Sequence, residues 1–79
     1  LKAEVLSMIK GLDSHINMHD FRIIRGDTHT NLVFDIAVPC GYITSDDDIC
    51  NAIQENVRKK LGKNYYTVIE VDRDNYINI

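Results

Sequence analysis

Residues 18–39 read MHDFRIIRGDTHTNLVFDIAVP, and how this stretch pairs decides the fold. From Ile16 the side chains follow a period of two, with Phe21 and Ile23 on the face of His19 and with Met18, Asp20 and Arg22 pointing the other way. The segment RGDTHTN, residues 25–31, brings together Gly, Asp, Thr and Asn, which suit a hairpin loop. Beyond it Leu32, Phe34, Ile36 and Val38 form an apolar face opposite Val33, Asp35 and Ala37, and Pro39 closes the strand. Two antiparallel strands are expected, and they carry His19, Asp20 and Asp35 among apolar residues.

Upstream, Leu1, Val5, Met8, Ile9 and Leu12 recur at helical spacing, with Lys2, Glu4, Ser7 and Lys10 on the other side, so residues 1–12 are expected to form a helix with one buried stripe. Gly11 and the Asp13-Ser14 pair end it. Downstream, CGYITSDDD leads into a second helix with Ser45 as N-cap and Asp48 as the reciprocal partner of a capping box. Asp46, Asp47 and Asp48 lie at the positive end of its dipole, and Arg58, Lys59 and Lys60 at the negative end. Ile49, Ala52, Ile53, Val57 and Leu61 make the buried face, and Gly62 stops the helix. YYTVIEVDRD then resumes alternation, setting Thr67, Ile69 and Val71 against Tyr66, Val68, Glu70 and Asp72.

The order is helix, strand, strand, helix, strand. A helix joining two strands of one sheet makes them parallel and right-handed in nearly every case. The expectation is an α+β, ferredoxin-like αββαβ fold: a three-stranded mixed sheet with both helices on one face, in one domain spanning residues 1–79.

A chain of 79 residues hides only about 60% of its extended surface on folding, so the core is thin, and a disulfide, a metal or a partner chain is a natural supplement. Cys40 and Cys50, without a secretion signal, fit a reducing compartment and read as two small, partly buried apolar residues. A net charge of −3, with acids and bases interspersed, offers no broad basic surface for nucleic acid or an anionic membrane. No apolar run approaches the ~18 residues that a membrane span needs. The chain starts at Leu1, inside a helix and without an initiator Met, which suggests an excerpt from a longer protein.

If the helices cover the Leu32, Phe34, Ile36, Ile69 and Val71 sides, then Asp35, Glu70 and Asp72 project from one uncovered sheet face. Like charges so placed repel, and a cation or a basic partner removes that cost. Exposed carboxylates on a strand are also ordinary, so the solvated face is the competing explanation. His19 sits near the start of its strand, where a bulge can turn the ring either way. His15, at a helix end, and His29, in a hairpin loop, read as solvated polar residues. The Asp46–Asp48 run lacks the alternation, central Gly and distal Glu of a calcium loop. No phosphate-cradling loop, nucleophile elbow or Cys-His pair is present, so an enzyme is not expected.

Taken in order, HDFRIIRG, FDIAVP, the capped helix and VIEVDRD resemble the C-terminal cytoplasmic domain of cation diffusion facilitator transporters, over nearly the whole chain. The most telling piece is His19-Asp20-Phe21-Arg22, which is similar to the family's His-Asp-Leu-Arg signature. The resemblance implies a membrane exporter exchanging a divalent cation for protons. This chain would be its soluble domain for dimerisation and metal sensing, on the cytoplasmic face of the cell membrane, with the transmembrane domain elsewhere. It would act as a homodimer, without nucleic acid and without inserting into the bilayer.

The resemblance also puts the metal ligands on His19, Asp35, Glu70 and Asp72. Asp35 and Glu70 stand where zinc-binding relatives often carry histidine. One imidazole with three carboxylates suits Mn²⁺, and Zn²⁺ also accepts carboxylates, so either ion fits the set. Arg22 is expected to form an ion pair with Asp20 or with an acid of a partner chain. Two alternatives stand beside this: a dimerisation module that needs no metal, and a stand-alone ferredoxin-like domain that binds a small ligand on its open sheet face.

Overall fold

The computed structural model describes residues 1–74. Helix α1 (Lys2–Leu12) is followed by strands β1 (Asn17–Arg25) and β2 (Thr30–Pro39), helix α2 (Asp46–Leu61) and strand β3 (Tyr65–Asp74). The strands form one sheet in the order β1-β2-β3, with β1 antiparallel and β3 parallel to the central β2. This is the expected ferredoxin-like α+β arrangement.

The alternation on β2 sets the layers. Leu32, Phe34, Ile36 and Val38 are buried, and the intervening residues are only half-covered. Val5, Met8 and Ile9 of α1 and Ile49, Ile53 and Val57 of α2 complete the same core, so both helices lie on one face of the sheet. Phe34 is its largest side chain, and its ring stacks on that of Phe21 with centroids 5.9 Å apart. Leu12, expected to finish the α1 stripe, is instead 38% exposed and lines a cavity at the margin of the core beside Ile16 and Ile49. Cys40 is exposed and Cys50 half-buried, so the expectation of two partly buried cysteines holds only for the second.

The hairpin loop is tighter than composition suggests. Arg25, Thr30 and Asn31 belong to the strands, and the Gly26 N–H donates to the His29 carbonyl at 2.8 Å. A Cβ on residue 26 would sit 2.9 Å from that carbonyl oxygen, which is why glycine occupies the position. Gly62 ends α2 with φ 126°, a backbone angle that side-chain-bearing residues rarely adopt, and its N–H donates to the Arg58 carbonyl.

Only half of the capping box forms. The Asp48 N–H donates to Ser45 Oγ at 3.2 Å, while the Asp48 carboxylate makes no return bond among the described residues. Replacing Ser45 with alanine is expected to cost about 1 kcal/mol in urea unfolding, with threonine restoring most of it. A loss under about 0.3 kcal/mol would show that the three aspartates at the helix start hold the terminus without the cap.

Candidate metal centre

The pairing of β1 with β2 contains one irregularity, and it determines where His19 goes. His19 pairs with Asp35, but the next paired residue on β1 is Arg22, opposite Val33, so Asp20 and Phe21 together face Phe34. This is a β-bulge, and Asp20 takes the left-handed φ of 56° that it needs. Aspartate tolerates that region better than most residues.

The bulge reverses the strand's parity. Met18, Phe21 and Ile23 pair across from, or pack against, the core, whereas Asn17, His19, Arg22 and Ile24 lie on the opposite, uncovered face. Strict alternation places Phe21 and Ile23 with His19. The extra residue separates them and puts His19 on the face of Asp35.

The parallel register carries the row across the sheet. Asp35 pairs with Glu70 and Ala37 with Asp72. His19, Asp35 and Glu70 therefore stand on one rung of the open face, and Asp72 stands on the next rung beside Ala37 and Asn17. His19, Glu70 and Asp72 are exposed, and Asp35, on the central strand, is half-covered. None of the four side chains has a hydrogen-bond or ion-pair partner among the described residues.

The same register limits what one chain does with these donors. Strands lie about 4.8 Å apart, so the outer members of the rung are separated by about 10 Å of backbone. A bound Zn²⁺ or Mn²⁺ needs its ligand atoms within about 2.0–2.3 Å. Among the described residues no group of three or more His, Cys, Asp or Glu side chains is gathered closely enough to hold an ion. The four donors form a row across a flat face, with no enclosing cage.

No family model, curated protein or solved structure matches this chain.

The remaining polar residues behave as local chemistry dictates. Asp13 Oδ1 accepts from the His15 backbone N–H at 2.8 Å and lies 2.9 Å from the ring Nδ1, which holds the Asp13 carboxyl below its usual range. The His29 ring lies 5.2 Å from that of Tyr66, and the Arg58 guanidinium lies 5.4 Å from the Tyr66 centroid. The Cys50 thiol is pushed up first by burial and then by Asp46 and Asp47, which disfavours the thiolate that binds metal. Arg22 makes no ion pair with Asp20 among the described residues; the bulge turns the two residues apart.

The other half of the open face groups four large apolar side chains around Arg22 and Asn31. Ile24 pairs with Asn31, which pairs in turn with Tyr66, and Arg22 pairs with Val33, which pairs with Val68, so Ile24, Val33, Tyr66 and Val68 adjoin the acidic rungs. Ile24 and Val68 are 53% and 52% exposed. Two cavities, of about 570 and 220 Å³, are lined instead by α1, α2 and the loop before α2, away from this face.

Proposed function

We propose that this chain is a cation-responsive dimerisation domain, with Zn²⁺ or Mn²⁺ bound through His19, Asp35, Glu70 and Asp72 when a second copy covers the open face. What carries this is the unpartnered row: an imidazole and two carboxylates in register on one rung, with a third carboxylate on the next. Directly opposed carboxylates such as Asp35 and Glu70 repel one another, and a cation removes that cost. A row too wide to enclose an ion alone becomes a site when donors from a facing copy approach from above. The cation then binds the paired arrangement more tightly than the separate one and shifts the population toward it.

The apolar side chains on the same face support association there, since Ile24, Val33, Tyr66 and Val68 supply contact area beside the charges. It also supports the second reading, in which the domains pair without metal. The similarity of His19-Asp20-Phe21-Arg22 to the cation diffusion facilitator signature favours a role as the soluble cytoplasmic part of a divalent-cation exporter that exchanges its cargo for protons. In that setting the domain regulates the transport step and performs no catalysis.

Titration calorimetry with Zn²⁺ and Mn²⁺, run alongside sedimentation, tests the proposal. The unmodified chain is expected to bind at least one of the ions and to dimerise as it does so. The double variant Asp35→Ala, Asp72→Ala should bind at least tenfold more weakly, since loss of even an outer-shell partner typically costs about 10–100-fold. Equal affinities would remove these residues from the site. A dimer that persists unchanged in excess chelator would favour the metal-independent module.

A further inference from the structure

The sheet has two outer edges, and they are guarded differently. The β1 edge is broken by the bulge at Asp20 and Phe21 and carries Arg22 and Arg25. Both features discourage an added strand. On the β3 edge, Gln54 of α2 acts as a substitute strand: its Nε2 donates to the Tyr65 carbonyl at 3.2 Å, and its Oε1 accepts from the Thr67 N–H at 2.8 Å and the Thr67 hydroxyl at 2.7 Å.

That cap covers only the first half of the strand. A parallel-paired strand alternates its main-chain groups, so if Tyr65 and Thr67 point outward, Ile69, Val71 and Arg73 do as well. Among the described residues nothing meets the outward N–H and C=O of Ile69 and Val71.

We propose that the outer edge of β3 from Ile69 to Arg73 is a docking strip for an extended peptide segment in which basic and apolar residues alternate. The strip supplies main-chain pairing, and its two faces supply the selectivity. On the open face an added strand meets the exposed carboxylates of Glu70 and Asp72, and opposite charges across strands are favourable. On the helix face it meets the half-buried Ile69 and Val71. The acidic start of α2 lies at the same end, because Asp46 is held 2.8 Å from Arg73.

A second copy of this chain is a poor occupant of the strip. Antiparallel pairing of β3 with its own copy sets Glu70 and Asp72 against their counterparts, and like charges facing across strands are destabilising. At this edge the carboxylates thus favour a basic strand over β3 of a second copy, whose proposed place is the open face and not the edge.

The test uses the 79-residue chain with chelator present and three labelled, end-capped peptides. One alternates Lys and Val, one alternates Glu and Val, and one has the composition of the first with its lysines and valines in separate blocks. Fluorescence anisotropy is expected to give the alternating Lys peptide at least about tenfold tighter binding than either control. Amide exchange at Ile69 and Val71 should slow in that complex.

Val71→Pro removes an outward N–H while leaving the ladder to β2 intact, and should abolish binding. E70K/D72K should transfer the preference to the Glu peptide, and it serves as the decisive variant if the proline chain fails to fold. Equal binding of the block and alternating peptides, protection that maps away from β3, or no binding at all would each overturn the proposal.

Discussion

Replacing Phe34 with alanine is expected to lower the folding free energy by about 3–5 kcal/mol, the range seen for large aromatic truncations in well-packed cores. Phe34 is 1% exposed, sits at the middle of β2, and stacks on Phe21 while the helix residues close over it. Its removal forfeits the transfer free energy of the ring and opens a cavity beside the bulge. The Phe21 ring, placed on the core face by the extra residue at Asp20, then loses its stacking partner.

The scale of the domain magnifies the effect. Globular domains hold about 0.05–0.15 kcal/mol per residue, which for 79 residues amounts to roughly 4–12 kcal/mol. A loss of this size therefore leaves a large unfolded population at room temperature. Urea unfolding followed by far-ultraviolet circular dichroism measures it, with Phe34→Leu as the milder comparison. A Phe34→Ala loss under about 1 kcal/mol would mean that the core closes over the gap, and that Phe34 is not its keystone.

Arg73→Ala is expected to cost about 2 kcal/mol, through a different mechanism. The Arg73 guanidinium gathers the segment joining β2 to α2: Nη1 donates to the Tyr42 carbonyl at 2.8 Å and the Pro39 carbonyl at 3.4 Å, and Nη2 to the Thr44 carbonyl at 2.6 Å. Nε also donates to Asp46 Oδ1 at 2.9 Å, which ties the loop to the first turn of α2. Hydrogen bonds to a charged group contribute about 1.5–3 kcal/mol each when buried. Solvent reaches both partners of the ion pair, at 25% and 49% side-chain exposure, so the sum is much reduced.

The expected thermal shift is about 8–16 °C, taking about 4–8 °C per kcal/mol for a domain of this size. Arg73→Lys should recover less than half of the loss, because an ammonium cannot spread donors to several carbonyls in one plane. Amide exchange should quicken at Tyr42 and Thr44 in both variants. Full rescue by lysine would reduce the clamp to a point charge acting on Asp46.

The layered fold was legible because its decisive signals are local. The Leu32, Phe34, Ile36, Val38 alternation and the Ser45 cap each need only a few neighbouring residues to express their preference, and both recur in the structure. Periodicity also separates Asp35, Glu70 and Asp72 from the core, and the register places them on one face.

What escaped sequence analysis depends on a single inserted residue or on distant contacts. One extra residue at Asp20 and Phe21 inverts the parity of β1, and no period-two template contains it. Gln54 lies on α2 amid polar residues, and its task becomes visible only when β3 lies alongside. The Arg73 clamp likewise joins residues 27 to 34 positions apart in the chain. Leu12 obeys the helical period and still stays partly exposed beside a cavity, because periodicity says nothing of how closely the opposing layer packs.

The parallel pairing of β2 with β3, in which Leu32 lies opposite Thr67, has a consequence during synthesis. The β1-β2 hairpin is close in sequence and can form while the chain is still on the ribosome. β3 emerges only after all of α2, so for that interval the most apolar strand of the molecule waits as an unprotected margin. Chaperone capture or mispairing of nascent chains would concentrate in that window.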